Sequence, residues 1–223
     1  MELLRLKAAS LLRINILILF CIWISGCSYF KNKKEILPFY NTADFTAEWI
    51  EHGDAKYNSI HTIDTFTMYN QLGDVFTSDS LKGKIYAANF FFTSCPSICP
   101  KMANNLKLLH DKFENNKEFN LVSFSVMPWV DTVAKLKAYG ENLGINPAKW
   151  HLLTGDKERI YTLGRQSFFA EKKEGLTKDS SDFLHTETML LIDGKARIRG
   201  VYSATEIKDI ERITADIKIL LNE

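Results

Sequence analysis

What is scarce in this chain narrows it first. Four cysteines in 223 residues, at positions 21, 27, 95 and 99, are too few for a disulfide-stapled scaffold, and the first two fall in an N-terminal leader. No charge of one sign dominates: 28 basic and 27 acidic residues leave a formal net charge of +1. Such a chain presents no field to attract a polyanion, so nucleic acid is not the expected partner. The apolar run over residues 14–24 is too short to span a bilayer comfortably. Nothing repeats at solenoid periods. What is present, 46% hydrophobic residues in a chain of this length, suits one domain with one sizeable core.

The leader reads as an address. Arg5, Lys7 and Arg13 precede the apolar run in the order of a secretory signal. Ile24-Ser25-Gly26-Cys27 then resembles the lipobox at which bacterial lipoproteins are cut and acylated. The expectation is a signal peptide over 1–26, lipidation of Cys27, a tether and approach to the domain over 27–55, and a folded domain over 56–223. That domain would sit on the extracytoplasmic, periplasmic side as a membrane-anchored lipoprotein. An uncleaved signal anchor with Cys27 a bystander is the competing reading, and it too holds the domain at a membrane surface.

Residues 84–93 are β-prone and apolar with aromatics on both faces, which predicts a strand buried on both sides. It leads straight to Cys95. Beyond Pro96, Ile98, Met102, Leu106, Leu109 and Phe113 recur at helical spacing, predicting an amphipathic helix from about Ser97. The unit repeats, with a strand over 121–127 and a helix capped by Asp131-Thr132 and closed by Gly144. A strand over 150–153, a helix over 156–169 and a strand over 185–192 follow. Asp193-Gly194 turns that strand into another over 197–202. Ser203-Ala204-Thr205-Glu206 has capping-box spacing before a last helix. This order is α/β, a thioredoxin-like fold: a central mixed sheet with helices on both faces and a C-terminal hairpin and helix.

Cys95 leaves a buried strand and Cys99 lies one helical turn on, so both sulfurs can face one side and share a ligand. A helix N-terminus favours thiolate, the form that binds metal or attacks a disulfide. Two thiolates suit Cu(I), which accepts few ligands, better than structural zinc, which takes four. A disulfide across one helical turn is the plain structural alternative. Of the five histidines, His185 stands out as a third donor because it follows the polar stretch 171–182. By position alone it reads more readily as a hydrogen-bonded structural histidine than as a ligand. His52, His61, His110 and His151 are read as structural or solvated. Met102 and Met127 are read as packing residues.

Phe90-Phe91-Phe92-Thr93-Ser94-Cys95-Pro96-Ser97-Ile98-Cys99-Pro100-Lys101-Met102 is similar to the CPxxCP signature of the Sco/SenC family. The resemblance continues through Asp131-Thr132 with Leu136 and Tyr139, then Trp150 to Gly155, then His185-Thr186-Glu187, and covers about residues 60 to 220. It implies a domain that binds Cu(I) or Cu(II) through Cys95, Cys99 and His185. It also implies a copper chaperone for the cytochrome c oxidase subunit carrying the dinuclear copper centre, with other copper carriers as further partners. Two departures stand out: Met127 precedes Pro128, and Leu184 precedes His185, where the family often has aspartates. The alternative function is an extracytoplasmic thiol:disulfide oxidoreductase using Cys95 and Cys99 as its redox pair, for which His185 would be dispensable.

Overall fold

Residues 36–223 are described by the computed structural model; Cys27 and the leader lie outside them. Seven strands form the main sheet in the order β4 (Val75–Thr77), β3 (Thr67–Asn70), β7 (Trp150–Thr154), β6 (Phe119–Ser125), β5 (Ile85–Phe91), β8 (Thr188–Ile192), β9 (Ile198–Ser203). Its centre is β5 (Ile85–Phe91), paired in parallel with β6 (Phe119–Ser125) and antiparallel with β8 (Thr188–Ile192). All seven β5 residues are buried. Ile85, Ala87 and Phe91 enter one core while Tyr86, Ala88 and Phe90 enter the other, as the period of two requires of a strand covered on both faces.

Helices cover both faces. On the first lie α1 (Ile98–Phe113), α2 (Val133–Leu143) and α5 (Ile207–Leu220). Met102, Leu106, Leu109 and Phe113 of α1 form the buried stripe that the spacing predicts. Gly144 closes α2 at φ +61°, the left-handed geometry glycine adopts at no steric cost. On the second face lies α3 (Lys157–Thr162), capped by Asp156, whose carboxylate accepts from Arg159 N. The expected helix over 156–169 does not continue evenly, because Leu163–Ser167 widens into a π turn. A Cβ at Gly164 would lie 2.8 Å from Leu184 Cδ1 and 2.9 Å from Phe90 Cε1, so this turn needs glycine where it presses on the core. A last single turn, α4 (Lys172–Gly175), follows.

Three expectations change. The main sheet gains a hairpin at its other edge, β3 (Thr67–Asn70) with β4 (Val75–Thr77), which pairs with β7 (Trp150–Thr154). The compact unit spans Ile36–Glu223 and so includes the domain-entry residues 36–55. There β1 (Phe39–Tyr40) pairs with β2 (Ala47–Glu48), and Leu37 and Phe39 are buried. The strand expected from His185 starts at Thr188, since the preceding backbone bonds to side chains: His185 N to Glu171 and Thr188 N to Thr186 Oγ1. The capping box before α5 does not form. Asp209 takes Ser203 N at 2.6 Å, and the Thr205 hydroxyl donates to Glu187 at 2.7 Å.

The hairpin from β8 to β9 (Ile198–Ser203) closes the sheet edge as expected. Its Arg199 is buried and donates to the main-chain oxygens of Leu37 (2.8 Å) and Pro38 (3.1 Å) and to both carboxylate oxygens of Glu223. Asp193 at the turn accepts from Arg197 and Arg199.

Candidate metal centre

Phe92, Thr93 and Ser94 carry the chain from β5 to Cys95, and α1 opens just after Ser97. Ser97, the N-cap, makes no side-chain cap bond and has φ −118°, ψ −98°. The first helical amides therefore point elsewhere, and the Cys95 sulfur takes the place of a capping oxygen. Burial opposes ionisation of Cys95. Main-chain donors at Cys99, Ser97 and Ile98 and the Cys99 thiol outweigh it, holding Cys95 below the ordinary thiol range. Burial pushes the Cys99 thiol up. A main-chain hydrogen bond at Phe92 pulls the other way, but Cys95 and the Asp131 carboxylate add to the rise, to about 12. Neither cysteine is in a disulfide and both are buried, with 8% and 6% of their surface exposed. The structure thus brings the two predicted sulfurs together and makes them unlike.

Asp131, expected to share in capping α2, does something else. Thr132 alone is the cap, its hydroxyl accepting from Lys135 N. Asp131 is fully buried and turns inward, accepting from Thr93 N (3.0 Å), the Thr93 hydroxyl and the Ser125 hydroxyl (2.6 Å). It ties the cysteine turn to the end of β6 and the start of α2. Tyr139 of α2 lies over Phe91, ring centroids 5.5 Å apart. Burial, followed by the charges of Cys99, Asp131 and Cys95, raises its hydroxyl to about 12. The sequence held a signal for Asp131: two capping residues in a row, of which one helix start uses only one.

His185 is placed differently. Its side chain is exposed in the loop before β8, and its amide donates to Glu171 Oε1 at 3.4 Å. Among the described residues no three His, Cys, Asp or Glu side chains are gathered as a metal-holding group. The donor set assembled is therefore the cysteine pair, whose soft, low-coordination chemistry fits Cu(I) and falls short of the four ligands of structural zinc. Leu184 is buried between Gly164 and the second core, a position where a carboxylate would be desolvated. Met127 lies in a tight turn, its carbonyl accepting from Val130 N and Asp131 N at 2.8 Å each. His110 accepts from Asn146 N and contacts Asp111, and His61 bonds Ser167 O, so both serve packing. His52 stacks on Tyr57 and His151 on Phe76.

The SCO1/SenC family model matches residues 54–222. A SCO1/SenC family lipoprotein from Bacillus anthracis is 31% identical in sequence and superposes with a TM-score of 0.63, over 72% of this chain and 95% of that one. BsSco, a member of the Sco family of cytochrome c oxidase assembly proteins in which a disulfide switch is identified, is 29% identical (TM-score 0.61, 71% and 92% covered). ScoI of Bradyrhizobium japonicum, solved with copper bound, is 27% identical (TM-score 0.56, 71% and 99% covered). The strand, cysteine turn and helix, set in a thioredoxin-like sheet and matched over most of the chain, place it in a family: the chain belongs to SCO1/SenC.

Proposed function

We propose that this protein is a copper carrier, holding the ion on Cys95 and Cys99 with His185 as third donor and passing it to the dinuclear copper centre of cytochrome c oxidase. The observation that carries this reading is the cysteine pair itself. Two neighbouring sulfurs, neither in a disulfide, share a hydrogen bond, and main-chain donors at the start of the helix favour the thiolate form of Cys95. The pair is ready for a soft cation, and copper is the ion held by a relative with the same fold. His185, exposed at the end of a loop, is free to reorient and complete or release the site, which suits cargo that must be handed on. Cys27 as lipid attachment would keep the domain at an extracytoplasmic membrane surface, where an oxidase resides.

The unequal thiols favour a second reading, thiol:disulfide exchange. Cys95, the more acidic, would attack a partner's disulfide, and Cys99 would then attack Cys95. The partner leaves as a dithiol and the protein keeps the disulfide, so two electrons and two protons pass to the partner. Copper titration decides between the two. Full-length protein in detergent is titrated anaerobically with Cu(I) against a chromogenic competitor. The carrier reading expects one-to-one binding, abolished by Cys95→Ser/Cys99→Ser and weakened by about tenfold or more in His185→Ala. Absence of competitive binding, with disulfide exchange intact and indifferent to His185→Ala, overturns it in favour of exchange.

A further inference from the structure

The loop that ends at His185 is almost wholly polar, yet it is fastened by one of the most buried arginines in the molecule. Arg165, 2% exposed, projects from the π turn Leu163–Ser167. Its Nε donates to Glu171 Oε2 at 2.6 Å, and its two terminal nitrogens donate to the main-chain oxygens of Asp179 and Asp182. Its guanidinium also lies 5.1 Å from the Tyr161 ring centroid. Glu171 completes the knot: its other oxygen accepts from Lys178 Nζ at 2.9 Å and from the amide of His185 at 3.4 Å. One residue on, the Thr186 hydroxyl donates to Ala170 O at 2.6 Å.

This arrangement is expensive and specific. A buried cation needs its partners, and a planar fork that grips two carbonyls and a carboxylate fixes three points of a loop at once. Lys172, Lys173, Glu174, Leu176 and Asp182 are exposed, so the loop has little apolar burial of its own to hold it. Leu184 is the exception, wedged against Gly164 of the same π turn. The polar anchors at 185 and 186 thus come from Glu171 and Ala170, while Phe183 also packs edge-on against Phe92, ring centroids 5.5 Å apart.

We propose that Arg165 and Glu171 are positioning residues for His185, clamping its main chain while leaving its imidazole free to turn toward the cysteines. The inference rests on the copper-carrier reading and deepens it. With the clamp closed, the third donor arrives by rotation about side-chain bonds. With it open, capture also has to order the loop, and affinity falls.

The test pairs each clamp variant with the ligand variant, in full-length protein. Arg165→Lys keeps the positive charge but loses the fork; Glu171→Gln keeps the shape but loses the charge, and either suffices if the other fails to fold. The expected result is a fall in Cu(I) affinity of about tenfold to a hundredfold, as for other groups that orient a metal ligand. In a His185→Ala background the same substitutions should change nothing. A fall of equal size in both backgrounds, or no fall in either, overturns the clamp. If His185→Ala alone leaves affinity unchanged, the three-donor reading fails instead, a distinct result. Metal-free, unsubstituted protein gives an independent check by backbone amide exchange. Protection of the His185 amide well above that of residues 172–174 supports the clamp, and exchange at the free-chain rate refutes it.

Discussion

The turn holding Cys95 and Cys99 hangs between a strand whose seven residues are all buried and a helix of sixteen, whereas the loop ending at His185 hangs from one buried arginine. Apolar burial frames the first, with Asp131 tying the turn itself. Hydrogen bonds, the ion pairs of Glu171 with Arg165 and Lys178, and an edge contact of Phe183 with Phe92 hold the second. The difference teaches how a site can combine a permanent grip with a movable one: packing gives no fine control over a single backbone point, while a polar knot holds chosen atoms and leaves the neighbouring side chain free. In the proposed copper site the thiols would be the rigid part and the His185 imidazole the adjustable one.

Three perturbations bear on that contrast, in descending order of effect. Removing the one polar group that the cysteine turn depends on should hurt most. Asp131→Ala leaves the half-buried amide and hydroxyl of Thr93 and the buried Ser125 hydroxyl without their acceptor, so stability to urea should drop by about 3–5 kcal/mol. A drop below about 1 kcal/mol would mean that packing alone holds the turn.

Next comes Gly164→Ala, which sets a methyl against Leu184 and Phe90 at contact distances that neither can keep. About 1–3 kcal/mol of stability should be lost. The loss should come with faster amide exchange near His185 and little change at Cys95. Equal loosening at both would abolish the distinction between the two regions.

The smallest perturbation is pH. Cys95 has its pKa lowered in the fold, so the stability it contributes is present above the ordinary thiol value and is lost as pH falls through its folded value. Cys99 has its pKa raised, so its contribution is complete below the ordinary value and fades as pH climbs from there toward about 12. Alkylation with iodoacetamide, mapped by mass spectrometry, should accordingly label Cys95 with a midpoint below the ordinary thiol value and Cys99 only in strong alkali. Equal rates at neutral pH would show that the helix amides do not discriminate between the sulfurs.

Most of the sheet and its helices could be read from periodicity because the residues that pack are those that alternate or recur. The run 84–93 and the stripe Met102, Leu106, Leu109, Phe113 announce a strand and a helix without help from the rest of the chain. The hairpin of β3 and β4 escaped because its strands are short and half polar. Its turn is held by Asn70 Oδ1, which accepts from Leu72 N and Asp74 N, a local bond that leaves no hydrophobic pattern. The packing of segment 36–55 escaped because its buried residues, Leu37, Phe39, Ala43 and Ile50, follow no period and join three separate clusters of the fold. At the site, the cysteines were legible as a motif. Arg165 was not, and Asp131 only as a surplus capping residue, since their importance lies in what each reaches: a turn 38 residues back for Asp131, carbonyls 14 and 17 residues ahead for Arg165.

Arg199 roots the first described residues in the sheet. It grips the carbonyls of Leu37 and Pro38 at the level of Tyr86 and Ala87, the end of the sheet opposite the cysteine turn. A pull applied at Leu37 would therefore act first on a guanidinium and the short β1 strand, at the root of the hairpin and at the opposite end of β5 from the sulfurs.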